Sequence, residues 1–352
     1  MIGVVLLTLV PGELGGAETY ARELVAALAR RRALDLVAFT PPVARGAGGG
    51  LPERVVERYG EARTLRERFV ATTRALVRPG PLRAEMTGID AAHYPLAIAA
   101  PPLPVPYAVT IHDLQHLDLP GFFSRAERLW RRLTHERSAR RAQAVIVPSE
   151  FVRRNVVTHL GIPPERVRAI AHGVDHERFR PGGDEREPFL LYPARPWPHK
   201  NHARLFEAFA LLRRERPELE LVLTGGGHDE RDLPPGVRWA GLVSPDELAS
   251  LYRRAACLVF PSLYEGFGVP PLEAMASGCP VACARAASLP EVVGEAGVLF
   301  DPLDPAAIAA GVREALERAG ELRARGLEHA ARFTWEATAA AHEEVYRSLL
   351  SA

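Results

Sequence analysis

Short apolar runs recur along the chain, and stretches with apolar positions every three or four residues separate most of them. The runs Ile2–Leu9, Leu34–Thr40, Asp90–Tyr94, Tyr107–Ile111, Ala144–Pro148 and Val167–Ile170 predict strands buried on both faces. The periodic stretches predict helices. One follows Gly16 with Tyr20, Leu24 and Leu28 on its apolar face, and others span Arg63–Val77, Ser124–Gln143 and Glu150–His159. Ser124 followed by Glu127 reads as a capping box, and Ser149 as an N-cap. The glycine cluster in Arg45–Leu51 reads as a flexible loop, and the glycines, prolines and charges from Pro181 to Pro188 as a linker.

The same alternation resumes beyond that break. Phe189–Pro193, Leu219–Thr224, Val237–Ala240, Leu258–Phe260 and the run after Pro280 predict strands. His202–Arg216, Pro245–Arg254, a segment from Pro270 to Gly278, Pro305–Arg318, Gly320–Phe333 and Thr334–Leu350 predict helices. Strands alternating with helices imply doubly wound parallel sheets, so the fold class is α/β with two Rossmann-like domains. The expected boundary lies at 181/182. Two such halves would face a cleft, with ligands at the C-terminal ends of the strands.

Composition narrows the function classes. The chain has 352 residues and a net charge of +1, which gives no general pull toward nucleic acid. Cys257, Cys279 and Cys283 lie in apolar contexts and read as core residues of a reducing compartment. No apolar run reaches the roughly 18 residues of a membrane span. The N-terminal run lacks a basic leader, so a cytoplasmic protein is expected. The arginines of 124–143 outnumber its glutamates, so this helix could touch an anionic bilayer or present a solvated face.

Candidate chemistry gathers at the predicted strand ends. The stretch from Leu258 to Asp304 carries a strand, a loop with Gly266 and Gly268, and a helix start, a layout that favours anions. Two of its carboxylates flank that helix start: Glu265 in the loop and Glu273, expected in the first helical turn. Gly15 and Gly16 follow the first strand, and Gly225, Gly226 and Gly227 follow another, as backbone cradles. Lys200 is the only lysine in an arginine-rich chain, which suggests a site wanting a compact ammonium. With Arg195 it offers a diphosphate one point charge and one planar fork. His112 sits just past a strand. Its i, i+4 spacing with His116 matches a metal pair, but no intervening glutamate or third ligand accompanies it, so no metal is expected. As a set these groups suit a nucleotide sugar, with cations and backbone dipoles stabilising the departing diphosphate.

The segment Glu265-Gly-Phe-Gly-Val-Pro-Pro-Leu-Glu273 closely resembles the Glu-x7-Glu signature of the group 1 (family four) retaining glycosyltransferases of the GT-B fold. So do Ala274-Met-Ala-Ser-Gly278, Ser288-Leu-Pro-Glu291, Gly15-Gly16-Ala17-Glu18, Ile111-His112-Asp113, Pro148-Ser149-Glu150 and Lys200-Asn201, in family order. Two departures are Ala194 before Arg195 and His172 before Gly173-Val174-Asp175.

The resemblance implies roles for these residues. Gly15 and Gly16 would meet the donor phosphate, and His112 the transferred sugar. Arg195 and Lys200 would neutralise the leaving diphosphate. Glu265, with the amides of Phe267, Gly268 and Val269, would hold sugar hydroxyls, and Glu273 the ribose. Backbone near Leu242 and Val243 would meet the base. The terminal segment 335–352 would return to the first domain, leaving 182–334 as the donor domain.

The implied activity is metal-independent hexosyl transfer from GDP-mannose or a UDP-hexose, mannose being favoured, to a saccharide or lipid-linked acceptor. No cofactor is implied. A non-catalytic subunit of a polysaccharide-assembly complex and a sugar-nucleotide epimerase are the alternative readings.

Overall fold

The computed structural model describes residues 1–227, 229 and 232–351; of the expected returning segment, Ala352 lies outside them. The chain divides into two units, Met1–Gly173 with Trp335–Ala352 and Val174–Thr334.

The first unit is built on a parallel sheet of β1 (Ile2–Val5), β2 (Leu36–Thr40), β3 (Glu53–Val55), β4 (Ala91–Tyr94), β5 (Tyr107–Thr110), β6 (Ala144–Val147) and β7 (Val167–Ala169). Its order is β3-β2-β1-β4-β5-β6-β7, so the direction of winding reverses between β1 and β4. Both faces are covered. In β6, Ala144 and Ile146 pack with helices Gly16–Arg31 and Trp335–Leu350, while Val145 and Val147 pack into the cluster holding Val152 and Val156. That period of two on a wholly apolar strand is what a buried parallel sheet requires.

The terminal helix is an integral part of this unit. Trp335, Ala339, Val345, Tyr346 and Leu349 are buried, and their helix packs on β4, β5 and helix Gly16–Arg31. Glu343, almost fully buried, receives Nε and Nη2 of Arg31 at 2.8 and 3.1 Å. A buried polar chain completes the seam. Tyr346 Oη lies 2.7 Å from His93 Nδ1, and His93 Nε2 lies 2.8 Å from Thr110 Oγ1. Thr110 is 3.0 Å from Tyr20 Oη, which is 2.7 Å from His342 Nε2. Each hydroxyl and each imidazole has partners, so burial costs these groups little.

The second unit repeats the plan with β8 (Glu187–Pro193), β9 (Glu220–Thr224), β10 (Val237–Trp239), β11 (Ala255–Phe260), β12 (Val281–Ala284) and β13 (Val298–Phe300). The order β10-β9-β8-β11-β12-β13 is again all parallel, with the reversal between β8 and β11. The three cysteines are buried in its core, with their thiols free and pushed up by burial.

Several expectations are corrected. The boundary falls at 173/174, not 181/182, because Val174 donates its N–H to the Phe333 carbonyl at 3.0 Å and bridges Thr334. The predicted linker then runs directly into β8 at Glu187. The apolar run Ile2–Leu9 is strand only to Val5; Leu9 N–H turns back to Leu6 at 2.9 Å, and the rest is buried as a turn. The glycine cluster 45–51 is packed turns instead of a flexible loop. A Cβ on Gly49 would sit 2.9 Å from the Ala26 amide, and Glu53 accepts from the Gly46 N–H. The helix expected over Ser124–Gln143 is present from Arg125 to Arg141, with a π turn at Arg132–Glu136 between its two α segments. Its capping box, Ser124 with Glu127, is present.

Candidate functional site

The polar residues singled out above lie at the C-terminal ends of strands, grouped around the reversal of each sheet. In the second unit two loops diverge there, one leaving β8 and one leaving β11. The His199 carbonyl accepts the Leu263 N–H at 2.8 Å and ties them together. Across this tie Lys200 Nζ meets Glu265 Oε1 at 2.5 Å, with the side chains only 14% and 15% exposed. Lys200 also stands 5.5 Å from the Phe260 ring. The sequence gives these two residues different ligand groups; the fold first gives them to each other. An ammonium has three donors, so Lys200 can bond Glu265 and still offer an N–H to a phosphate oxygen.

Residues without an assigned role in the sequence hold this pair. Asn201, at φ 63°, gives its Nδ2 to the Pro261 and Pro302 carbonyls at 3.1 and 2.8 Å. Tyr192 donates to the Lys200 carbonyl at 2.7 Å, with Ser262 Oγ at 3.2 Å. The Ser288 hydroxyl bridges the carbonyls of Glu265 and Phe267 at 2.9 and 2.7 Å. Asn201 and Ser288 stand inside recognised motifs, but nothing local in the sequence says what their side chains grip. Their partners are 60 and 101 residues away for Asn201 and 23 and 21 away for Ser288.

Gly268 ends the loop at φ 107° and caps helix Val269–Ala276, which has no side-chain cap. A Cβ there would lie 2.6 Å from Leu289 Cδ2, so both backbone angle and space require glycine. Pro270 and Pro271 follow at the start of the helix. Phe267, Gly268 and Val269 thus form a helix N-terminus whose dipole favours a negatively polarised ligand group.

Glu273 is corrected: it lies in the second turn of that helix, which has no acid in its first. There it accepts the Tyr252 hydroxyl at 3.1 Å, and burial pushes its carboxyl up to about 7. The nearby Arg178 opposes that rise, and Asp175 adds to it. A first-turn position would have been explained by the helix dipole. The actual position leaves a half-buried carboxyl whose polar partner is the Tyr252 hydroxyl.

The glycine loop after β9 packs onto the loop after β8. A Cβ on Gly225 would lie 3.2 Å from the Ala194 carbonyl carbon, which joins these loops backbone to backbone. Gly225 N–H donates to Gly241 at 2.9 Å, and its carbonyl accepts Trp239 Nε1–H at 2.7 Å. Gly226 therefore adjoins Leu242, a largely exposed side chain next to Val243. Arg195 leaves the same junction with its guanidinium 5.8 Å from the Trp197 ring centroid. Gly225, Gly226, Arg195 and the 242–243 loop are thus gathered at one edge, and Lys200, Glu265 and Gly268 at the reversal beside it.

In the first unit Gly15 is the N-cap of helix Gly16–Arg31 at φ 54°, without a side-chain cap. A Cβ on Gly15 or Gly16 would meet nothing within 4 Å, so the helix start is open to a ligand. Glu18 fixes the loop, accepting Gly12 N–H at 2.8 Å and Arg22 Nε–H at 2.9 Å. His112, just beyond β5, donates from Nε2 to the Pro95 carbonyl at 2.9 Å, which leaves Nδ1 as the acceptor. Burial lowers its pKa, so the ring is neutral at pH 7. Tyr20 stands edge-on to it at 5.0 Å and stacks on His172 at 4.6 Å, and His172 in turn stacks on Trp335 at 6.2 Å. The departure at His172 is therefore an aromatic plate in the wall beside His112.

His116 turns away from His112, with Nε2 3.3 Å from Glu136. Among the described residues no three His, Cys, Asp or Glu side chains are grouped to hold a metal ion.

Residues 173–333 match the family described as "Glycosyl transferases group 1", and residues 14–178 match "Glycosyltransferase Family 4". The O-antigen chain mannosyltransferase B of Escherichia coli is 34% identical over 253 residues, 64% of this chain and 66% of that protein. The chain thus spans just under two thirds of that relative's length. Among solved structures, sucrose-phosphate synthase from Thermosynechococcus elongatus superposes with a TM-score of 0.80 at 22% identity, covering 99% of both chains. The Anabaena Alr3699/HepE protein, solved in complex with UDP and glucose, gives 0.72 at 19% identity over 99% of this chain and 100% of that one. With both halves matched in order and each unit a Rossmann-like parallel sheet, the chain belongs to the group 1 glycosyltransferases of the GT-B fold.

Proposed function

We propose that this protein is a retaining, metal-independent hexosyltransferase that takes a hexose from a nucleotide diphosphate sugar to a saccharide or lipid-linked acceptor. The observation that carries the reading is the Lys200–Glu265 pair at the sheet reversal of the second unit. Lys200 and Arg195 neutralise charge growing on the leaving diphosphate, which replaces the usual task of a divalent cation. Glu265 and the helix start at Phe267–Val269 hold sugar hydroxyls, and Glu273 accepts from the ribose diol. Neutral His112, with Nδ1 as acceptor, serves the sugar from the first unit. No cofactor is required.

The E. coli relative's name supports mannose, hence GDP-mannose, and the Anabaena complex supports a UDP-hexose. A cytoplasmic protein touching the inner membrane surface peripherally fits a lipid-linked acceptor. Among the described residues no helix is long and apolar enough to cross a membrane. Incubating the purified chain with GDP-mannose and a set of UDP-hexoses tests the reading. Release of nucleotide from one of them is expected, and absence of both binding and release from all would overturn it.

The raised carboxyl of Glu273 gives this reading a pH signature. Below about 7 the carboxyl is largely protonated and accepts weakly; above it the carboxylate accepts both ribose hydroxyls. Donor affinity is therefore expected to rise between about pH 6 and pH 8 and then level off. In the empty protein the sign is opposite. A folded pKa above the unfolded value stabilises below the ordinary carboxyl range, and that stability is lost as pH rises through about 7. Titration calorimetry across this range checks both the rise and its disappearance in Glu273→Gln. A pH-independent affinity in the wild-type chain would remove Glu273 from the donor.

A further inference from the structure

Two helices of the first unit carry apolar residues that the core does not use. On Leu65–Val77, the spacing puts Arg66, Phe69, Val70, Thr73, Arg74 and Val77 on one side, while Ala71, Thr72 and Ala75 are buried on the other. Val77 is 72% exposed, and Phe69 and Val70 are each half exposed. Along this side runs a groove of about 350 Å³ lined by Phe69, Val70, Thr73, Arg74, Val77 and Arg78. On the neighbouring segment Arg125–Glu136, Leu129 and Leu133 are 56% and 52% exposed. Phe69 touches Trp130 with ring centroids 4.4 Å apart, so the two helices present one continuous apolar ridge.

The charge around this ridge is one-sided. Arg66, Arg74, Arg78, Arg125 and Arg132 are all exposed on these two segments. Their exposed acids, Glu67 and Glu127, are both occupied in capping boxes, each bonded to its own N-cap backbone. The occupant must therefore supply negative charge at the rim and an apolar medium at the ridge.

We propose that this face seats on an anionic lipid bilayer, with Phe69, Val70, Val77, Leu129 and Leu133 entering the acyl boundary and the arginines meeting headgroup phosphates. Arginine stems lie along apolar surface while their guanidinium groups stay at headgroup level, which suits this rim. A second copy of this chain is a poor occupant, because a two-fold contact would set the same arginines against each other. The proposal rests on the lipid-linked branch of the function above for its purpose, but on none of the donor-site residues.

Co-sedimentation of the full chain with vesicles tests it, without donor or turnover. Binding is expected to vesicles of phosphatidylglycerol and phosphatidylcholine at low salt, and to be weak on phosphatidylcholine alone. Arg74→Ala and Arg132→Ala are each expected to weaken partitioning about five-fold. Val77→Asp with Leu133→Asp is expected to abolish binding while the circular dichroism spectrum and melting profile are kept. The proposal is overturned by no binding to anionic vesicles, or by binding that survives the paired aspartates. It is equally overturned by reversible self-association in solution that the same aspartates abolish, which would make a second copy the occupant. Nucleotide-sugar binding measured without vesicles is scored separately, so failure of the face and failure of the donor site are told apart.

Discussion

Deletion of residues 335–352 is expected to abolish the native state of the first unit while the second unit keeps its own melting transition. Trp335, Val345, Tyr346 and Leu349 are all buried on a helix that packs against β4, β5 and helix Gly16–Arg31. At about 2 kcal/mol for each large apolar side chain, their loss removes roughly 8 kcal/mol. That is of the order of the whole stability of a typical domain, about 5–15 kcal/mol. The deletion also strips partners from polar groups. Tyr20 loses His342, His93 loses Tyr346, and Arg31 loses the carboxylate of Glu343. Tyr20 and His93 keep Thr110, so each loses one hydrogen bond, about 1 kcal/mol. Differential scanning calorimetry of the truncated chain checks this. Two retained transitions would show that the terminal helix is dispensable to the fold.

The second large effect is on turnover. Lys200→Ala is expected to lower kcat by about a hundred-fold to a thousand-fold, the usual cost of removing one preorganised donor from a developing charge. It also strips Glu265, 15% exposed, of its ion-pair partner. Lys200→Arg is not expected to restore activity. A planar fork cannot occupy the 2.5 Å contact of an ammonium point charge and also reach a phosphate. Measured with the donor that the wild-type chain uses, kcat must fall while both melting transitions persist. A fall in the second transition matching the lost activity would mean that Lys200 supports the loop only. Unchanged kcat would remove it from the chemistry.

Much of this was legible before any coordinates. Alternating apolar runs and amphipathic stretches implied two doubly wound parallel sheets, because a strand buried on both faces must be apolar throughout and its crossover helix must be apolar on one side. Both capping residues named from local spacing, Ser124 and Ser149, cap their helices, since a capping bond closes within three residues. The lone lysine and the two acids were visible as oddities of composition and spacing. Errors arose where the deciding partner was distant. Pro181–Pro188 looked like the break between domains, but the Val174 N–H is taken by Phe333, which places the boundary earlier. Glu273 looked like a first-turn acid because Pro270 and Pro271 mark the start of a helix. Gly268 as N-cap puts Val269 at the first position and Glu273 one turn deeper.

The sequence by itself determined the fold class, the order of strands and helices, and which residue types stand at the strand ends. Those depend on periodicity and on capping or turn chemistry, which act over a few residues. Only the tertiary structure decided that Lys200 grips Glu265, that burial raises the Glu273 carboxyl to about 7, and that the terminal helix brings His342 to Tyr20 and Tyr346 to His93. Each of these depends on burial and on partners up to 322 residues apart, as for Tyr20 and His342. Local propensity carries no record of such partners: desolvation and hydrogen-bond satisfaction exist only once the chain has closed around them.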